Sequence, residues 1–153
     1  MKPSKMSIFD RIKGFLGKFN LTPLESELIT RLKQSIPKKY AAIIEDQFRL
    51  FNRVDRALVD DGRLDHGDTF FYWIKSGKSC LDFPSRLPYQ TEESTLAETS
   101  IKSGQNIISV RFVMVRGVMC CIEFRSKSKK YQPTEEYVIG DYLINEELAS
   151  ADT

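Results

Sequence analysis

The sequence predicts an α+β fold in which N-terminal helices pack on a mainly antiparallel sheet. Apolar residues recur at helical spacing in the first third of the chain, whereas short β-branched and aromatic runs bounded by turn residues fill the rest. Two such runs flank Arg116-Gly117, which is typical of a tight hairpin. A chain of 153 residues with 41% hydrophobic residues fits one domain, residues 1–153, with a single core.

The first predicted element is an amphipathic helix within residues 1–20. Its apolar stripe consists of Ile8, Ile12, Phe15, Leu16 and Phe19, and basic residues lie between them. A basic amphipathic helix can lie on an anionic membrane or on the protein's own sheet. We expect docking on the protein itself, because neither a lipid anchor nor a long polybasic run accompanies the stripe.

Residues 22–52 are predicted to form a helical hairpin. Thr22 and Glu25 have the spacing of a capping box, and Pro23 suits the first helical position. Pro37 ends this helix and can begin the next, which extends to about Phe51. The expected buried stripes are Leu24, Leu28, Leu32 and Ile36 in the first helix, and Tyr40, Ile43, Ile44, Gln47, Phe48 and Phe51 in the second.

Residues 53–144 are predicted to form the antiparallel sheet, and residues 145–153 an acidic tail that frays. The hairpin is expected at the centre of the sheet, because both faces of its second strand are mostly apolar. Residues 76–89 are rich in Ser, Gly and Pro, which favours a loop. The predicted strands are residues 53–59, 68–74, 96–102, 106–115 and 118–125, with a last strand or short helix at 137–144.

Charge and cysteine content predict a cytoplasmic protein. The net charge is +2, but residues 1–56 hold 12 Lys and Arg against 6 Asp and Glu, and residues 57–153 hold 11 against 15. Such an asymmetry can serve different partners, or the two halves can lie against each other. The three cysteines do not resemble a disulfide framework, and neither a secretory pattern nor a run of about 18 apolar residues is present.

His66, the single histidine, lies in a turn that carries Asp60, Asp61, Asp65 and Asp68. Carboxylate oxygens suit a hard cation, but their spacing departs from the calcium-loop pattern, and Asp is common in turns. A small enzyme or metal protein centred on His66 is therefore an alternative that the pattern does not favour. No catalytic residue, metal site or cofactor is predicted.

A protein-binding surface is the favoured interpretation of the same region. Alternation along a strand puts Phe70 and Tyr72 on one face and Phe71 and Trp73 on the other, so one pair is expected to be exposed. Exposed Tyr and Trp dominate protein interfaces, and an acidic rim steers a basic partner. The expected contact residues are Asp60, Asp61, Asp65, Asp68, Tyr72 and Trp73. The basic tract at residues 125–131 is expected to be solvated, so nucleic acid is not an expected partner.

The layout of residues 24–124 resembles the immunity proteins encoded beside bacterial polymorphic or contact-dependent toxins. The residues that carry the resemblance are Ser35-Ile36-Pro37, Gln47, Phe51-Asn52-Arg53-Val54, Leu96-Ala97, Arg116-Gly117 and Ile122-Glu123-Phe124. The resemblance implies a non-enzymatic protein that neutralises a cognate toxin domain by binding it. The alternative is a peripheral membrane or scaffold module that acts through the helix at residues 8–19. The sequence leaves the partner's identity and the oligomeric state open.

Overall fold

The structure, a computed structural model, describes residues 19–58, 66–88, 92–126 and 136–149. Most of the helix predicted within residues 1–20 lies outside the described residues, as do the turn residues Asp60, Asp61 and Asp65 and the tail after Ala149. Within the described residues the fold is α+β, with two helices followed by a mainly antiparallel sheet. The predicted fold class is confirmed.

Two helices of 13 residues each precede the sheet, α1 at Pro23–Ser35 and α2 at Lys38–Leu50. The predicted capping box begins α1: the Glu25 amide donates to Thr22 Oγ1 at 3.1 Å, and the Thr22 amide donates to Glu25 Oε1 at 2.9 Å. Pro37, in an extended conformation, separates the two helices. The helical hairpin predicted for residues 22–52 is therefore present.

The described elements after α2 are β1 Arg53–Leu58, β2 His66–Tyr72, β3 Ile74–Lys75, β4 Lys78–Ser79, β5 Ser94–Ser103, β6 Asn106–Val115, β7 Val118–Ser126, β8 Val138–Ile139, β9 Leu143–Ile144 and α3 Glu146–Ala149. Seven of these strands form one sheet in the order β1-β2-β7-β6-β5-β8, with β9 also paired to β5, and every pairing is antiparallel. The strands β3 and β4 form a separate small hairpin.

The hairpin β6–β7 lies inside the sheet, as the sequence predicts. Its turn places Arg116 at φ 51° and Gly117 at φ 81°, the two positive angles that a tight primed turn requires. A buried α2 side chain holds this turn: Gln47 Nε2 donates to the carbonyls of Gly117 and Ser85 at 2.9 and 3.0 Å, and Gln47 Oε1 accepts from the Met119 amide at 3.0 Å. Helix and sheet are thus joined by hydrogen bonds as well as by apolar packing.

The core lies between the helices and one face of the sheet. A second polar contact joins α1 to the sheet. The buried Glu25 carboxylate accepts hydrogen bonds from the Arg56 guanidinium of β1 and the Thr69 hydroxyl of β2. The fully buried large side chains include Phe51, Phe112, Leu28, Leu32, Ile44, Leu87, Leu96, Ile101, Ile108, Met114, Met119 and Ile122.

Three local predictions are corrected. The predicted loop at residues 76–89 contains strand β4 and contributes the buried Phe83 and Leu87 to the core. The strand predicted to reach Ile74 ends at Tyr72, where the Asn52 side chain bonds both the amide and the carbonyl of Ile74. Residues 146–149 form α3 instead of fraying, because Leu148 is fully buried in the core.

Candidate functional site

The candidate site is the open face, the face of the sheet opposite α1 and α2. Directly paired residues of neighbouring strands point to the same face. Two rows can be followed across the sheet in this way, Asp55–Phe70–Cys121–Val113 and Asp68–Glu123–Arg111–Glu98. The alternate residues, such as Phe71, Phe112 and Ile122, point into the core. No described helix packs on the open face, although Cys121 and Val113 within it are buried.

Two of the predicted contact residues lie on the open face. The Tyr72 ring stacks on the Phe70 ring with centroids 6.4 Å apart, and both side chains are half-buried. Partial burial and the nearby Asp55 carboxylate raise the pKa of Tyr72, so its hydroxyl is protonated at neutral pH. Asp68 Oδ1 accepts from Arg125 Nη1 at 2.8 Å. This corner therefore offers an aromatic pair beside a neutralised carboxylate.

Trp73 lies on the other side of the sheet. It follows the end of β2 and packs edge-on against Phe83 with ring centroids 5.1 Å apart. The Lys75 ammonium lies 5.4 Å from the Trp73 ring centroid, which is a cation–π distance. The structure brings Asp68 and Tyr72 to one face but does not bring Trp73 to them, whereas Asp60, Asp61 and Asp65 lie outside the described residues.

A charged band, made of Arg125, Asp68, Glu123 and Arg111, crosses the middle of the open face. Arg111 Nη1 donates to Glu123 Oε1 at 2.9 Å, and Arg111 Nε donates to Thr95 Oγ1 at 2.6 Å. Arg125 also donates to the Gly67 carbonyl at 3.1 Å. Each arginine is thus held by several acceptors, and the charges of the band are already paired before any partner arrives.

Beyond the band, the face carries an apolar margin of large exposed side chains. Ile107, Val138 and Leu143 are 54%, 69% and 70% exposed. Their placement follows from register, since Lys102 pairs with both Ile107 and Val138, and Glu98 pairs with Leu143. Of the described residues, Leu81 is the only other large apolar side chain with comparable exposure. Three of these four side chains therefore share one margin of one face.

Sequence reasoning missed this margin as a site. Alternation along β6 groups Ile107 with Arg111 on one face, and that signal was available. Val138 and Leu143 belong to two-residue strands that are too short for a periodic pattern. Their exposure follows only from their pairing with β5.

Catalysis by a cysteine requires a thiolate, and a metal site requires several ligating side chains close together. Burial raises the pKa of Cys120 to about 11 and raises the pKa of Cys121 as well, so neither thiol is a thiolate at neutral pH. In the described part of the chain, no group of three or more His, Cys, Asp or Glu residues could hold a metal ion. His66 lies in β2 opposite Arg125, and its side chain is outside the described set.

None of the described helices is long and apolar enough to cross a membrane. Comparison of the chain with protein-family models, with curated proteins and with solved structures finds no match.

Proposed function

We propose that this chain acts by binding another protein through the open face of its sheet. The observation that carries the proposal is the apolar margin, where Ile107, Val138 and Leu143 are each more than half exposed on the same face. Single exposed apolar residues are ordinary on protein surfaces, whereas several that share one margin of a sheet face favour an interaction site. Neutralisation of a toxin domain is the form of binding that the resemblance suggests.

Binding of this kind requires complementarity and no reaction. Burial of one large aliphatic side chain contributes about 1.5–3 kcal/mol, so the margin can supply a substantial part of an interface energy. Tyr72 and Phe70 add an aromatic pair on the far side of the charged band, the kind of residue that dominates interfaces. Because the band is neutralised within the chain, a partner can contact both sides without supplying charges to it.

The test is photo-crosslinking in cells of the source organism. A photoreactive phenylalanine analogue replaces Leu143 in one variant and Leu81 in the control, which is 43% exposed and lies outside the open face. We expect a discrete protein adduct from position 143 and none of the same mass from position 81. A toxin domain in the adduct supports the neutralising role, and a different protein refutes it while keeping protein binding. Equal adducts at both positions, or none at position 143, contradict the proposal.

A further inference from the structure

We propose that the partner of the apolar margin is a basic protein segment that carries large apolar side chains. This inference rests on the proposed function and adds the chemistry of the partner. The inference depends on which described carboxylates form ion pairs and which are exposed without one.

Most described carboxylates already have a cationic partner within the chain. On the open face, Asp55 pairs with Arg53 at 3.0 Å, Asp68 with Arg125 at 2.8 Å and Glu123 with Arg111 at 2.9 Å. The same holds away from that face. The other carboxylates in ion pairs are Glu25, Glu27, Glu45, Asp46, Asp82, Glu92 and Glu93.

Four exposed carboxylates form no ion pair with another described residue, and all four belong to β5 or to the segment 136–149 that carries Val138 and Leu143. Glu98 is in β5, Glu136 and Asp141 flank β8, and Glu146 begins α3. The described residues of β5 and of the segment 136–149 contain one basic side chain, Lys102. Among the described residues of these two segments, unpaired carboxylates therefore outnumber basic side chains, whereas Asp55, Asp68 and Glu123 elsewhere on the open face are paired.

The unpaired carboxylates and the apolar side chains alternate in position. Glu98 is the direct cross-strand partner of Leu143, and Asp141 precedes Leu143 by two residues. Glu136 precedes Val138 by two residues in the same way. A partner that buries Val138 and Leu143 must also desolvate or approach these carboxylates. Lys or Arg next to large apolar groups satisfies both requirements, and an acidic partner is repelled.

The backbone of this edge favours contact through side chains over addition of a strand. The strands β8 and β9 have two residues each and are separated around Gly140, whose amide donates to the Ser100 carbonyl at 2.8 Å. A Cβ at position 140 would lie 3.0 Å from Ser100 Oγ, so the chain approaches β5 closely there. An added strand would find only short runs of outward backbone groups, whereas an amphipathic helix needs none.

The probe is a designed helical peptide of Leu and Lys, about 14 residues and ~20 Å long, labelled for fluorescence anisotropy. Two control peptides have Glu in place of every Lys, or Ser in place of every Leu. With the full chain, we expect the Leu/Lys peptide to bind at least about tenfold more tightly than either control, and more weakly at high salt because screening acts on exposed charges. Equal binding of the Leu/Glu peptide overturns the inference.

Variants of the chain locate the contact. Glu98→Gln with Asp141→Asn is expected to weaken binding about two- to fivefold for each carboxylate, the range for exposed ion pairs, whereas Glu92→Gln leaves it unchanged. Leu143→Ser is expected to weaken binding, and Leu81→Ser is the matched control. Unchanged affinity in both open-face variants refutes the inference. If position 143 crosslinks to a protein but the basic peptide does not bind, the partner chemistry is wrong and the proposed function stands.

Discussion

Gln47 provides the sharpest test of how helix and sheet are joined. Its side chain is fully buried and makes three hydrogen bonds to the backbone. Gln47→Met keeps the length of the side chain and removes all three. The three backbone groups then differ in the hydrogen bonds and the access to solvent that they keep. The Gly117 carbonyl still accepts from the Leu87 amide at 2.8 Å, and Ser85 is half-buried.

The substitution has its largest effect on the Met119 amide. It belongs to a fully buried residue and donates to Gln47 Oε1, so Gln47→Met leaves a buried donor without this partner. An orphaned buried donor costs about 1–3 kcal/mol, so we expect the free energy of unfolding to fall by about 2 kcal/mol. Gln47→Ala adds a cavity, and its total loss is expected to reach about 4 kcal/mol.

The assay is urea unfolding followed by the fluorescence of Trp73, the single tryptophan, which packs on the buried Phe83. Gln34→Met in the exposed face of α1 is the matched control and should change stability by less than about 0.5 kcal/mol. If Gln47→Met is as stable as the wild type at an unchanged dependence on urea, the side chain does not hold the turn as described.

Two further predictions concern buried ionisable groups. Burial raises the pKa of Glu25, but the hydrogen bonds from Arg56, the Thr22 amide and Thr69, together with the positive charge of Arg56, outweigh burial and hold the pKa below its ordinary value. Ionised Glu25 therefore stabilises the fold above about pH 4.5. The difference in the free energy of unfolding between the wild type and Glu25→Gln, measured in urea, should shrink as the pH falls to about 3. An equal difference at pH 7 and pH 3 contradicts this prediction. Alkylation of the folded protein followed by mass spectrometry should modify Cys80 before Cys120 and Cys121, because desolvation raises the pKa of the latter two thiols and Cys121 is also buried. Labelling of Cys121 as fast as Cys80 would show that the sheet opens at β7.

Elements with local signals could be predicted from the sequence. The capping box depends on residues three apart, and the turn at Arg116-Gly117 on two adjacent residues with positive φ. The contacts that join these elements are separated by much longer stretches of chain. Glu25 meets Arg56 across 31 residues and Gln47 meets Met119 across 72, distances at which no sequence pattern connects them.

The candidate site was predictable only in part, for the same reason. Alternation assigns Tyr72 and Asp68 to one face, but which face the helices leave open is decided by tertiary packing. The sequence predicts that the acidic tail after Asn145 frays, and nothing in its pattern signals that Leu148 is buried. The Asn145 side chain donates to the Thr95 carbonyl at 2.8 Å and accepts from the Glu147 amide at 3.0 Å, which ties the start of α3 to β5.

The charged band also bears on how the protein behaves at high concentration. An uncovered sheet face that was apolar throughout would stack on other copies, which is how aggregates of β-sheets grow. Face-to-face stacking of two copies would bury Asp68, Glu123, Arg111 and Arg125 of both. The free-energy cost of desolvating these charges exceeds the gain from apolar contact at the apolar margin. The band thus lets the chain keep Ile107, Val138 and Leu143 exposed while it discourages indiscriminate self-association.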